Sequence, residues 1–136
     1  MKPRRFVFDS YAVLALVEDE PGAKVVAEIV ADEAAELYMS AISLGEVYYV
    51  VFRRHGEAAA EEVVRSVMEE EFLTIAEASW RRVKEAARIK AAGGLSYADA
   101  FVLELSLELG APVVTGDPEI QAAAGGLGVE VLWIGR

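Results

Sequence analysis

Short runs of apolar, β-prone residues alternate along the chain with longer segments whose apolar residues recur at helical spacing. Five short runs are predicted to be strands, at 5–8, 37–40, 72–75, 112–115 and 129–134. The longer segments predict helices over 11–17, 23–34, 57–70, 79–92 and 96–109, and another from Ser43 to a stop at Gly56.

Strands separated by helices require parallel crossovers, which cover both faces of a sheet. We therefore expect an α/β fold, a three-layer α/β/α sandwich around a central, mainly parallel five-stranded sheet. No linker, internal repeat or low-complexity tract interrupts the pattern, so we expect a single domain over residues 1–136.

The apolar fraction of the chain is 54%, above the roughly 45–50% usual for soluble proteins. This fraction is enough to build a full hydrophobic core and leaves further apolar residues on the surface, which favours a homodimer or an apolar partner. Thirteen Lys and Arg residues against 23 Asp and Glu residues give a net charge of −10. That charge argues against attraction of nucleic acid or anionic membrane to the whole surface, so a polyanionic substrate must bind at a local site.

Residue types that are absent or single exclude several kinds of site. The chain has no cysteine, which excludes disulfides, thiolate nucleophiles and cysteine-based metal sites. The single histidine, His55, excludes a multi-histidine metal site and leaves a Ser-His-Asp triad only one candidate base. The apolar run 12–17 is too short to span a membrane, so we expect a cytoplasmic protein without a membrane partner.

Four acids stand at or near predicted helix starts. They are Asp9, Glu46, Asp99 and Asp117. Each has a purely structural explanation: Asp9 and Asp117 suit helix N-caps, and Pro118 suits the first helical position after Asp117. Ser43 with Glu46, and Ser96 with Asp99, fit the spacing of a capping box.

The predicted topology adds a second meaning to these acids. Crossover helices in a parallel sheet begin at the carboxyl edge of the strands, where open α/β sheets bind ligands. Ionised acids within about 4–6 Å repel and raise each other's pKa, and a bound cation removes this conflict. Because oxygen-only ligands suit Mg²⁺ or Mn²⁺, the pattern predicts an acidic metal site at this edge.

Four stretches, spread over nearly the whole chain, carry a family resemblance. They are VFDSY at 7–11, SLGEV at 43–47, LSYADA at 95–100 and VTGDPE at 114–119. In this order they resemble the PIN-domain ribonucleases and, in size and motifs, the VapC toxins of type II toxin–antitoxin pairs. One departure is Ile120, where the family frequently has an aromatic residue.

The resemblance implies a metal-dependent endoribonuclease that hydrolyses RNA phosphodiesters to 5′-phosphate and 3′-hydroxyl ends. The catalytic residues that it implies are Asp9, Glu46, Asp99, Asp117 and Thr115, of which the four acids are also the ligands of Mg²⁺ or Mn²⁺. Ions held there would activate water, orient the phosphate and stabilise the leaving oxygen. Ser10 is a further polar neighbour, and Glu119, where some members carry an additional acid, is interpreted as a solvated surface residue.

The family also implies a cognate VapB-like antitoxin as a partner. In the toxins, the region of the first helix and of the helix containing Glu46 helps form a groove for an amphipathic antitoxin segment. By spacing alone, Tyr48, Tyr49 and Phe52 on that second helix fit core residues better than contact residues.

Basic residues that would hold an RNA backbone occur in three regions, although a solvated surface is the simpler interpretation. Arg81, Lys84 and Arg88 share one helix face by i, i+3 and i+4 spacing. The full candidate set is Lys2, Arg4, Arg5, Arg53, Arg54, Arg81, Arg82, Lys84, Arg88 and Lys90.

Two other functional classes stay open. A signalling receiver domain has similar length, a parallel sheet and an acidic Mg²⁺ pocket, but receivers carry paired acids after the first strand and a lysine after the last. Here Asp9 is single and no lysine follows Lys90. In a non-catalytic interaction module the acids would only cap helices. Mn²⁺ would then cause no thermal shift, whereas a receiver would take up phosphate from acetyl phosphate.

Overall fold

The computed structural model describes residues 4–136, and within them the chain forms five strands and seven helices. The strands are β1 (Arg4–Phe8), β2 (Ala35–Ser40), β3 (Leu73–Ala76), β4 (Val113–Thr115) and β5 (Val131–Trp133). The helices are α1 (Ser10–Val17), α2 (Ala23–Ala31), α3 (Ala41–His55), α4 (Glu57–Met68), α5 (Trp80–Ala91), α6 (Tyr97–Leu109) and α7 (Pro118–Leu127). The predicted fold class is confirmed.

The strands form one parallel sheet in the order β3-β2-β1-β4-β5. The chain builds outward from β1 to β3 and then crosses to the other side of β1 to form β4 and β5. Strand order therefore reverses between β1 and β4, and Phe8 lies level with Val114 across that pair. Such a switch point leaves a crevice at the carboxyl ends of the strands.

Alternation along β1 divides the core into the two layers that a doubly covered sheet requires. Phe6 and Phe8 pack in one buried cluster with residues of α1, α2 and α3. Val7 points the other way, into a cluster that includes Val102 and Leu103 of α6. Because both neighbours of Asp9 along the chain belong to buried elements, the end of β1 is held rigidly in place.

Several element boundaries differ from the sequence prediction; for example, α3 begins at Ala41 instead of Ser43, and β2 begins at Ala35 instead of residue 37. The helix predicted over 23–34 ends at Ala31, because the Asp32 side chain accepts a hydrogen bond of 2.9 Å from the Ala34 N–H and turns the chain. The last strand is limited to Val131–Trp133. Only the start of α7 was predicted, since its body is mainly alanine and glycine and has little apolar periodicity.

None of the helices within residues 4–136 combines the length and apolar character needed to cross a membrane.

Candidate metal centre

Asp9 follows β1 directly and begins the site. Its carboxylate caps α1 by accepting a hydrogen bond of 2.9 Å from the Ala12 N–H. The second carboxylate oxygen accepts a hydrogen bond from the Thr115 hydroxyl, which lies at the end of β4. With 3% of its surface exposed, Asp9 is buried, and both of its oxygens are oriented by protein donors.

Thr115 also positions the next acid. Its hydroxyl oxygen accepts a hydrogen bond of 2.9 Å from the Asp117 N–H, so one side chain connects Asp9 to the turn that carries Asp117. Asp117 caps α7 by accepting a bond of 2.9 Å from the Glu119 N–H, with Pro118 in the first turn. The capping interpretation of both aspartates is confirmed.

Asp99 enters the site from the first turn of α6. Ser96 is the N-cap of this helix, and its side chain accepts a hydrogen bond of 3.1 Å from the Asp99 N–H. The Asp99 carboxylate does not cap the helix, and the residue is buried, with 8% of its surface exposed. The acid that interrupts an otherwise apolar helix therefore faces the carboxyl edge of the sheet.

Glu46 is placed differently from the sequence prediction. The N-cap of α3 is Ser40, whose side chain accepts from the Ile42 N–H at 3.1 Å, so the capping box from Ser43 to Glu46 is wrong. Glu46 instead lies in the second turn and accepts a bond of 3.1 Å from the Ser10 hydroxyl. The Ser43 hydroxyl is buried and has no hydrogen-bond partner in the part of the chain described.

Carboxylate oxygens of Asp99, Asp117 and Glu119 lie within 4.8 Å of one another, the separation of ligands around a single ion. Glu119 is exposed, as the sequence interpretation held, but that interpretation missed its membership of the cluster. The available signal was its place two residues after Asp117 at a helix start. Asp9 and Glu46 lie outside this tight group but interact electrostatically with it.

Burial is the main cause of the raised pKa values of Asp9, Asp99 and Glu46, and repulsion from neighbouring acids adds to it. Burial raises the pKa of Asp9 to about 7, with smaller increases from Asp117 and Asp99 that the bonds from Thr115 and Ala12 oppose. Burial, then the charge of Asp117, raises the pKa of Asp99 to about 6. The pKa of Glu46 is also raised, and burial is the largest cause. Ionisation of the cluster is therefore costly without a counter-charge.

The donor set fits a hard divalent cation. Within residues 4–136, no lysine, arginine or histidine forms an ion pair with any of the five acids. The site thus offers only oxygen ligands and an uncompensated negative charge, which are the properties that suit Mg²⁺ or Mn²⁺.

The PIN domain family model matches residues 6–126, which include all of these acids. The chain belongs to the PIN domain family. Among curated proteins, no match to the chain was found.

Solved structures share the PIN fold at low sequence identity. VapC20 of Mycobacterium tuberculosis, a toxin that cleaves the sarcin-ricin loop, has a TM-score of 0.74 and 17% identity over 87% of this chain and 94% of that chain. VapBC2 of Rickettsia felis, bound to promoter DNA, has a TM-score of 0.71 and 12% identity over 94% and 97%. VapBC-5 of Mycobacterium tuberculosis has a TM-score of 0.65 and 16% identity over 97% and 100%. At these identities the likeness concerns the fold.

Most basic residues considered as RNA ligands of this PIN domain already have acidic partners. Arg82 contacts Glu104 at 3.2 Å and also Glu108, which Arg81 contacts at 2.8 Å. Because Glu104 is 4% exposed, this network holds α5 on α6. The other paired candidates are Arg4, Arg5, Arg54 and Arg88.

The remaining candidates differ in their surroundings. Lys90 donates a hydrogen bond of 3.1 Å to the Leu95 carbonyl oxygen. Arg53 and Lys84 are exposed and make no ion pair within the described part of the PIN domain. Lys2 lies outside the described residues.

The helix aromatics divide between core and surface. Tyr48 is half-buried against the core and donates a hydrogen bond of 2.9 Å to Glu61. Tyr49 and Phe52 are 51% and 44% exposed, so their interpretation as core residues is wrong. Helical spacing alone does not show whether an apolar residue on a helix is buried in the core or exposed to solvent.

The raised pKa values predict an unusual pH dependence for the metal-free protein. Because the pKa of Asp9 is about 7 in the folded protein and 3.8 for an aspartate in its ordinary, solvated state, the native state binds more protons than the unfolded state between these values. The free energy of unfolding should fall by about 1–3 kcal/mol between about pH 5 and pH 8. Denaturant unfolding with EDTA present measures this.

Two controls identify the cause. The variant Asp9→Asn should show a flatter pH dependence, because the titrating carboxyl is gone. Millimolar Mn²⁺ should stabilise the parent most at the higher pH, where the ligands are ionised. A parent that gains stability with rising pH in EDTA would contradict the burial of an ionisable cluster.

Proposed function

We propose that this PIN domain is a divalent-metal-dependent endoribonuclease and the toxin of a toxin–antitoxin pair. The observation that carries the proposal is the convergence of buried and half-buried acids at the switch point between β1 and β4, without a basic partner among the described residues. Membership of the PIN family and the fold shared with VapC20 support the same reaction class.

Asp99, Asp117 and Glu119 would hold the ion most directly, with Asp9 and Glu46 completing the acidic wall. When bound, Mg²⁺ or Mn²⁺ supplies acidification of water and stabilisation of negative charge on the phosphate. The fit rests on the chemistry of the ligands, because neighbouring carboxylates that repel one another are stabilised by a bound cation.

The protein's own contribution is orientation. Thr115 fixes one oxygen of Asp9 and the backbone of Asp117, and Ser10 fixes one oxygen of Glu46. Bonds of this kind to ligating carboxylates maintain the geometry that a site needs. In the metal-free protein the raised pKa of Asp9, about 7, places the protonation of this carboxyl near neutral pH.

RNA would approach a protein with a net charge of −10 only at this locally neutralised site. Arg53 and Lys84 are the candidates for backbone contacts that have no acidic partner among the described residues. The exposed apolar side chains of Tyr49 and Phe52 support the expectation of a homodimer.

Replacing Asp99 by Asn should separate activity from stability. RNA cleavage with Mn²⁺ should fall by about 100-fold or more, since even residues behind metal ligands are worth 10–100-fold. The metal-free variant should unfold at the same or a higher temperature, because a buried repelling charge is gone. Cleavage of a single-stranded RNA and calorimetry measure the two effects.

The matched control is Glu77→Gln, which removes one charge at an exposed position outside the cluster and should leave cleavage unchanged. Cleavage by the parent that persists in EDTA, or an Asp99→Asn variant as fast as the parent, would contradict the proposal. If Mn²⁺ does not change the unfolding temperature of the parent protein, the result would favour the non-catalytic interaction module.

The antitoxin site that we propose is an apolar groove of about 280 Å³ between α1, α2 and α4, which includes the first helix, as the family resemblance implied, but has no lining residue from α3. Leu16 and Val17 of α1 line it and are 38% and 42% exposed. Glu62 and Glu70 lie at the same groove, so the occupant should combine apolar anchors with a basic residue. The toxin–antitoxin complexes VapBC2 and VapBC-5, which share this fold, support an antitoxin segment as the occupant.

A matched pair of valines tests the groove. Val17→Asp places a charge in it and should weaken binding of the antitoxin encoded beside this gene by about 10-fold or more. Val25→Asp is the control, because Val25 is 39% exposed on α2 but does not line the groove. Titration calorimetry measures both affinities. Equal losses, or none for Val17→Asp, would exclude the groove as the site.

A further inference from the structure

The turn between β4 and α7 places Asp117, and its middle residue is Gly116. Two bonds hold the start of this turn: the Ile134 N–H donates to the Thr115 carbonyl oxygen at 3.0 Å, and the Thr115 hydroxyl accepts from the Asp117 N–H at 2.9 Å. Neither bond restrains Gly116 itself, so its position depends on packing.

The ring of Tyr11 packs directly on Gly116. A Cβ atom at this glycine would overlap Cε1 and Cζ of the ring and would lie 2.8 Å from the Tyr11 hydroxyl oxygen. Gly116 is not among the positive-φ glycines of residues 4–136. Backbone conformation therefore does not require glycine here, and the space taken by the ring does.

The turn is also close-packed against Gly135. A Cβ atom at Gly135, beyond β5, would lie 3.1 Å from the Gly116 Cα and 2.5 Å from Cζ2 of Trp133. Gly135 also falls outside the positive-φ residues of the described chain. Two glycines are thus required by close contact, one within the turn that carries Asp117 and one packed against it.

Tyr11 itself belongs to the part of the site that contains Asp9. It lies in the first turn of α1, the helix that Asp9 caps, and is half-buried against the core. Its hydroxyl makes no hydrogen bond to any residue within 4–136. The contribution of Tyr11 is therefore the packing of its ring, which joins the Asp9 end of β1 to the Asp117 turn.

We propose that Tyr11 is a positioning residue of the metal centre, whose ring, seated on Gly116, keeps the Asp117 carboxylate in register with Asp9. This inference rests on the proposed function for its catalytic consequence, but its structural content is the relative position of two carboxylates. Residues that support metal ligands in this way typically contribute about 10–100-fold to metal affinity.

The test measures Mn²⁺ affinity by titration calorimetry and RNA cleavage in parallel. Tyr11→Ala should lower Mn²⁺ affinity by about 10-fold or more and lower kcat, with little change in KM at saturating Mn²⁺. Tyr11→Phe should keep both, because the ring remains. Leu14→Ala is the control for a general loosening of α1, since Leu14 packs on the same core cluster. It should keep the Mn²⁺ affinity.

A double-mutant cycle tests the contact itself. Gly116→Ala alone should weaken Mn²⁺ binding, because the new methyl group meets the ring. In the Tyr11→Ala background the same change should cost little, since the ring has left that space. If Gly116→Ala alone unfolds at assay temperature, recovery of folding and of Mn²⁺ binding in the double variant reports the same contact, because loss of the ring removes the clash.

Additive losses in the cycle, or a Tyr11→Ala variant that binds Mn²⁺ as the parent does, would overturn the positioning role. Loss of cleavage in Tyr11→Phe with normal Mn²⁺ affinity would overturn it in favour of a chemical role for the hydroxyl. If the parent binds Mn²⁺ but cuts no RNA, the proposed function fails while the affinity measurements still test Tyr11. If the parent binds no Mn²⁺, both fail.

Discussion

The cost of ionising carboxylates that the fold buries and brings together at one edge of the sheet is the constraint on which the site depends. The adjacency of β1 and β4 places Asp9 beside Thr115, and the helices that begin at this edge add Asp99, Asp117 and Glu119. Burial then raises the pKa of Asp9 to about 7 and that of Asp99 to about 6. The protein therefore stores an unfavourable charge distribution that a divalent cation relieves.

This constraint explains the density of short polar bonds around the cluster. Thr115, Ser10 and Ser96 each bond to an acid or to its backbone, and none of these contacts neutralises charge. Such bonds orient the oxygens while leaving their charge available to an ion. Most arginines within residues 4–136 are paired elsewhere, and the network of Arg82 with Glu104 supports the packing of α5 on α6.

The sequence was sufficient to predict the sheet and the convergence of the acids, because strand and helix alternation fixes where helices begin in a parallel sheet. It did not locate the start of α3, since Ser40 and Ser43 both precede apolar residues and only backbone geometry distinguishes them. It also missed the position of Glu119 in the acidic cluster, because a residue can be solvent-exposed and still lie beside a site. The contact of Tyr11 with Gly116 joins residues about a hundred positions apart and has no local signal.

The central claim is that these acids form one site for a divalent cation. Anomalous diffraction from crystals grown with Mn²⁺ tests it most directly. A single or double peak should lie between β1 and β4, with carboxylate oxygens of Asp99, Asp117 and Glu119 at about 2.0–2.3 Å and with Asp9 and Glu46 lining the same site. Absence of a peak at that edge, or an ion held only by groups elsewhere on the surface, would contradict the claim.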